Sequence, residues 1–218
     1  MKHSQMNSRF LYIAGCDGTG KTTLCEKLVG ELATKGYKVK KLWLRFPFFL
    51  SLPFLVYARW KGLSKREEFT GVSYGYWDFR NSFVMRRIFP WIWLTDAALA
   101  ALIKVYLPLL FGKTIICERF TLDMLADLSV ACDDPGLFDK SIGWAFKHLL
   151  PRGARIIILD MDKALIYERR PSLRYDRQLD VRLLTYRIMA QSFQIKMISN
   201  NTPLSKTYSI VRSFLLGK

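Results

Sequence analysis

One stretch, "FLYIAGCDGTGKTTLCEKL" from Phe10 to Leu28, constrains this chain more than any other. The apolar run Arg9 to Ala14 has the pattern of a strand buried on both faces, and it stops at Gly15. A Gly-rich loop follows. Beyond it a helix is expected over Thr22–Lys35, with Leu24, Leu28 and Leu32 on one face and Gly36 as its stop signal. Within the loop "GCDGTGKT" fits G-x-x-x-x-G-K-[ST] at Gly15, Gly20, Lys21 and Thr22. Such glycines let backbone N–H groups turn inward around a phosphate, and the helix start adds its positive end. Lys21 then reaches the outer phosphates of a nucleotide, and the Thr22 hydroxyl ligates Mg²⁺. ATP and Mg²⁺ are therefore the expected cofactors, with Gly15, Asp17, Gly18, Gly20, Lys21, Thr22 and Thr23 around the phosphates.

Further along, four runs read as strands: Tyr37–Leu44, Lys113–Glu118, Arg155–Asp160 and, more weakly, Ile195–Ser199. Helical character falls between them, notably over Asp96–Leu107, Gly136–Leu150 and Val181–Phe193. Strands alternating with helices predict an α/β fold with a five-stranded parallel sheet covered on both faces. The 218 residues suit a single domain, and 50% hydrophobic residues supply its core. Residues 46–110, between the second and third strands, are unusually aromatic and are expected to form a largely helical insertion.

The residue inventory excludes several chemistries. Cys16, Cys25, Cys117 and Cys132 show no CxxC spacing, so a structural zinc is not expected and a reducing, cytoplasmic setting is the simplest reading. Cys16 and Cys25 flank the loop and read as small buried residues rather than reactive thiols. Only His3 and His148 are present, which disfavours histidine-base chemistry. The first residues, MKHSQMNSRF, carry no signal-peptide pattern. Ile88–Gly112 has the length of a membrane span, but Asp96, Lys104 and Pro108 interrupt it, and a buried helix is expected.

Magnesium also calls for a carboxylate at a strand end, and spacing leaves Glu118 and Asp160 as equal candidates. Phosphoryl transfer further needs positive charge where negative charge accumulates. The loop carries no arginine between Gly15 and Lys21, whereas "ERRPSLRYDRQLD" supplies Arg169, Arg170, Arg174 and Arg177.

In order along the chain these segments resemble the thymidylate kinase family of P-loop nucleoside monophosphate kinases. The resemblance rests on "GCDGTGKT" with its internal acid, "LRFP" after the second strand, "ICERF" at Ile116–Phe120, and "LDMDKALIYERR" leading into a lid region at 163–180. It implies a P-loop NTPase three-layer sandwich and ATP-dependent phosphoryl transfer to a small phosphorylated acceptor, with dTMP as the family default. By position, it implies that Asp17 meets an acceptor hydroxyl, that Arg45 and Arg119 grip the acceptor phosphate, and that Glu118 supports the metal. Arg169, Arg170 and Arg174 would close over the donor phosphates, and Asn201, within Asn200–Pro203, would flank the adenine. Two departures stand out. The family's Asp before the arginine is Glu118 here, and the stretch matching its thymine-reading aromatic and arginine is "LTDAA", Leu94–Ala98, which has neither. Tyr74, Tyr76, Trp77 and Arg80, upstream, are the candidate substitutes, Tyr76 and Arg80 first, with a core role as the alternative for the aromatics.

The formal charge of +16 favours anionic partners. Zinc-finger spacing and RNP-like motifs are absent from the sequence and the basic residues are scattered, which disfavours nucleic acid. "FPFFLSLPFLVYARWKGLSKR" and "RRIFPWIW" join apolar residues to basic, Trp-containing flanks. That composition suits an acceptor-pocket lining, a homodimer face or a peripheral membrane contact. The last would admit a lipid-linked or sugar phosphate as acceptor, and a nucleotide-binding switch without turnover is the non-enzymatic alternative.

Overall fold

The computed structural model describes residues 8–45, 49–69 and 72–217; Phe46, Pro47 and Phe48, which begin the apolar run quoted above, lie outside them. The strands are β1 (Phe10–Gly15), β2 (Val39–Trp43), β3 (Ser64–Phe69), β4 (Val72–Trp77), β5 (Thr114–Glu118), β6 (Arg155–Asp160) and β7 (Lys196–Ser199). Five of them form one sheet in the order β2-β5-β1-β6-β7, every pair parallel.

β1 is buried along its whole length because both of its faces are covered. Phe10, Tyr12 and Ala14 join one apolar cluster with the helices Thr121–Cys132, Ser141–His148 and Leu179–Ser192. Leu11 and Ile13 join the other, with Leu24, Leu28 and Leu32 of the helix Lys21–Thr34 and Val211 and Leu215 of the helix Leu204–Leu216. Period-two alternation thus places an apolar side chain on each face in turn, and the result is a three-layer α/β arrangement. β1 is flanked by β5 and β6, so the crossovers diverge at its carboxyl end. Open α/β sheets bind ligands in the crevice that this creates.

The insertion is less uniformly helical than the sequence reading expects. It holds a helix, Leu52–Trp60, then the antiparallel hairpin β3–β4, then a continuous helix over Val84–Leu110. The hairpin corrects that expectation. "VSYGYW" is rich in β-favouring residues, and its two-residue separation from Ser64–Phe69 is a hairpin spacing. The long helix spans 27 residues and is apolar enough to cross a bilayer by length and composition, with 44% of its most apolar window buried.

Asp96 interrupts this helix for a reason visible in the packing. Its buried carboxylate accepts the backbone N–H groups of Phe49, Leu50 and Ser51, each at 2.9 Å, and the Ser51 hydroxyl at 2.5 Å. It therefore satisfies the donors of the turn that leads into the neighbouring helix Leu52–Trp60, whose own first N–H groups bond back to the Phe49 and Ser51 carbonyls. Burial alone would raise the Asp96 pKa, but the Ser51 hydroxyl and the three N–H groups outweigh it and lower the value.

Asp96→Ala should cost about 2–4 kcal/mol in urea unfolding, because it strands several donors at once. With its folded pKa depressed, Asp96 contributes stability above its unfolded value of about 3.9 and loses it as pH falls through the folded value. Asp96→Asn should flatten that acid limb, and an unchanged limb would show that this carboxylate is not what titrates.

Candidate functional site

The loop after β1 is shaped by close backbone approaches. A Cβ at Gly15, where φ is +140°, would lie 2.5 Å from the Leu159 carbonyl oxygen of β6; at Gly20, with φ +92°, it would lie 2.7 Å from Asn200 Nδ2. Gly18 packs against Ile166 and Leu173. No side chain among the described residues caps the start of the helix Lys21–Thr34, which leaves its first N–H groups directed at the cleft.

Lys21 is buried and folds back so that Nζ donates to the Cys16 carbonyl at 2.6 Å. No carboxylate pairs with it among the described residues. Burial strips solvation from its ammonium and the Arg119 guanidinium repels it, so its pKa falls to about 8. The Thr22 hydroxyl donates to Glu118 Oε1 at 2.5 Å, while the other Glu118 oxygen faces Lys41 Nζ at 3.8 Å. The longer side chain of Glu118 thus reaches the Thr22 hydroxyl.

Asp160, the rival carboxylate, points elsewhere and is held by Arg187 Nε at 3.0 Å. Thr22 and Glu118 together offer hard oxygen donors. No group of three or more His, Cys, Asp or Glu among the described residues could hold an ion alone. A cation here would need phosphate oxygens as its remaining ligands, an arrangement that suits Mg²⁺.

On the donor side, the cleft around Lys21, Thr22, Thr23 and Glu118 is also lined by Arg169 and Arg170. Arg169 Nη2 lies 3.4 Å from the Asn200 carbonyl oxygen. The other two lid arginines are not brought here: Arg174 lies over the Tyr167 ring at 5.9 Å, and Arg177 pairs with Glu67 at 3.1 Å. Asn201 accepts the Asp162 N–H at 2.9 Å and so ties the two loops that follow β6 and β7. Its neighbour Asn200 touches the cradle, donating to the Thr19 carbonyl at 2.8 Å, with a buried Oδ1 that has no partner among the described residues.

On the other side of the cradle, Asp17 bridges two guanidinium groups. Arg119 donates to it through Nη2, and Arg45 Nη1 stands 3.6 Å away. Burial would raise the Asp17 pKa, yet Arg119, Lys21 and Arg45 carry it well below the usual carboxylate range. Arg45 also makes a two-pronged pair with Asp127, 2.8 Å at each contact. Arg119 sits at φ 74°, a strained value for a residue with a side chain, and its Nη1 donates to the buried Asp123 at 3.1 Å.

Beyond Arg45 opens a pocket walled by Trp77, Phe79, Phe89 and Trp93, with Asp127, Gln178 and Arg182 as polar members. Tyr76 and Arg80 do not line it, which corrects their expected placement. Strand alternation sends Gly75 and Trp77 toward the pocket and Tyr76 to a neighbouring one, where its hydroxyl accepts the Arg177 N–H at 3.3 Å. Arg80 is exposed and held by Asp78 at 2.9 Å.

Sequence reasoning missed Arg182, one turn into the helix Leu179–Ser192. It is fixed by Asp176 at 2.8 Å and Gln178 at 3.2 Å, and its buried Nε has no partner among the described residues. The extension of the arginine series into "QLDVRLL" was the available signal. All four cysteines are buried, and burial pushes the Cys16 thiol up to about 11 and the Cys25 thiol up to about 12, so neither is a thiolate at neutral pH. Compared with known proteins, the chain matches no family model and no curated sequence.

The depressed Lys21 pKa carries a definite sign. Between about 8 and its ordinary value of 10.5 the free folded chain binds fewer protons than the unfolded chain, and a phosphate against Nζ would reverse this. On the sequence expectation that the loop takes ATP, binding at pH 8 should therefore take up a fraction of a proton, and affinity should weaken as pH rises further. Calorimetry in buffers of different ionisation enthalpy reads the uptake. Lys21→Met should abolish it, and identical heats for the wild-type protein in every buffer would contradict the assignment.

Proposed function

We propose that this chain is a P-loop phosphotransferase of the thymidylate kinase-like kind, which moves the γ-phosphoryl group of ATP onto a substrate that already carries a phosphate. The supporting observation is the distribution of positive charge about the cradle. Arg45 and Arg119 stand on one side of it, and Arg169 and Arg170 on the other. Phosphoryl transfer is catalysed mainly by positioning and charge neutralisation, and this arrangement supplies both.

In this reading Lys21 and the first-turn N–H groups hold the donor phosphates. Thr22 and Glu118 hold Mg²⁺, which when bound neutralises charge on the β- and γ-oxygens. Arg119, fixed from behind by Asp123, and Arg45, fixed by Asp127, present the acceptor phosphate in line with the donor. Asp17 spans the two arginines in the free protein, so an acceptor phosphate either shares them with Asp17 or shifts it toward an acceptor hydroxyl.

The aromatic walls beside Arg45 suit a flat ring, and Gln178 offers it both a donor and an acceptor. A nucleoside monophosphate is therefore the preferred acceptor, with dTMP first. Leu94–Ala98 contributes no arginine for reading thymine, so any discrimination among bases falls to this pocket.

ADP release from MgATP, assayed with dTMP, dUMP, UMP, CMP, AMP and GMP and with Lys21→Ala as blank, tests the proposal. Turnover on at least one acceptor is expected. Glu118→Gln should lower Mg²⁺-dependent turnover by about 10- to 100-fold while leaving ATP binding without metal unchanged. ATP bound but no transfer to any of these acceptors would sink the nucleotide-acceptor reading.

A further inference from the structure

The long helix Val84–Leu110 is apolar on two sides, and only one of them is covered. Phe89, Trp93, Ala97, Ala101 and Val105 point into the core. Ile88, Trp91, Leu99, Leu102, Ile103 and Leu110 point outward, at intervals that keep them on one side of the helix, and Leu110 is 83% exposed. A second outward row, Leu52, Val56 and Trp60, runs along the helix Leu52–Trp60 at four-residue spacing, with Trp60 78% exposed. The two helices meet where Asp96 of the long helix binds the N–H groups of the turn that leads into the shorter one. Exposed apolar rows of this length mark an interaction surface.

Charge decides what covers it. Between Phe49 and Lys61 there is no acidic residue, and Arg59 and Lys61 are exposed. Between Phe83 and Lys113 the only acid is the buried Asp96, while Arg86, Arg87, Lys104 and Lys113 are exposed. Two copies meeting about a two-fold axis would bring these like charges together. An anionic bilayer supplies the opposite charge to these exposed basic residues and a non-aqueous phase to the apolar rows. Spanning is ruled out by packing: the inner side of the long helix is core, and Asp96 at its middle is committed to the turn before the neighbouring helix.

We propose that this face docks the protein peripherally on anionic lipid, the apolar rows entering the interface and the basic residues meeting headgroups. The proposal stands apart from the phosphotransfer reading, since it uses none of the cradle residues.

Co-sedimentation of the full chain with phosphatidylglycerol–phosphatidylcholine vesicles, against vesicles of phosphatidylcholine alone, tests it. Binding to the anionic vesicles only is expected, weakening as salt is raised. Each basic residue near the surface is worth about fivefold in partitioning, so Arg86→Gln with Arg87→Gln should lower it about 25-fold. Leu102→Gln with Leu110→Gln should abolish binding while leaving the thermal midpoint unchanged, which shows that the fold survives. No binding to anionic vesicles, or equal binding to neutral ones, overturns the proposal. So does a dimer in sedimentation velocity that the Leu102→Gln, Leu110→Gln variant dissociates, because a second copy would then own the face.

Discussion

The site hangs on one buried carboxylate. Asp123, without solvent exposure, accepts the Tyr12 and Tyr186 hydroxyls at 2.6 Å each, Arg119 Nη1 at 3.1 Å and the Phe120 N–H at 3.2 Å. These donors come from the central strand, from the turn after β5 and from the helix Leu179–Ser192, so a single residue fastens three elements at the crevice. An ionised group in such a place is tolerable only when its lone pairs are filled. The tyrosines register the arrangement, since burial first and the Asp123 charge second push both phenols well above their usual value. The same contacts hold Arg119 in a backbone conformation that costs about 1–3 kcal/mol, and they aim its second nitrogen at Asp17 in the loop.

From that anchor the electrostatics of the cleft follow. Arg119 is committed to Asp123 and Asp17, and Arg45 to Asp127 and Asp17, so the two guanidinium groups are fixed before any anion arrives. Groups held in advance add little reorganisation cost when charge develops beside them. Lys21 differs: it is buried, no carboxylate among the described residues pairs with it, and burial and the Arg119 charge lower its pKa. Carboxylates orient the arginines, while the lysine is left for the ligand.

The features that were legible in the sequence are those fixed by local pattern. The five core strands lie within two residues of their expected limits, because each is an apolar or alternating run that a charged, polar or glycine residue closes. The cradle was legible because its glycines are required by backbone approaches that admit no Cβ. What stayed hidden depends on distant pairing. Nothing near Asp127 in the chain announces that it meets the cleft, since it is carried there by packing of elements far apart in sequence. The choice between Tyr76 and Trp77 turned on strand phase, which a helical reading of the insertion could not give. Arg174 and Arg177 looked equivalent to Arg169 and Arg170 in a compact basic segment, but a short helical turn at Pro171–Tyr175 redirects them.

The insertion does two jobs with one helix, and this accounts for its composition. Phe89 and Trp93 form part of the aromatic pocket beside Arg45, while Ile88 and Trp91, one or two residues away, face outward. A helix apolar all round is normally enclosed on every side. Here the inner side is enclosed by the core and the outer side is open, so the sequence keeps its apolar residues without a covering layer of protein. Its one acid holds the turn before the neighbouring helix, and Arg86, Arg87 and Lys104 are exposed. Such a distribution is costly for a surface meant to meet water alone, because exposed apolar area gains nothing there. The aromatic pocket and the exposed apolar surface are thus opposite sides of the same helix, and packing that fixes one fixes the other.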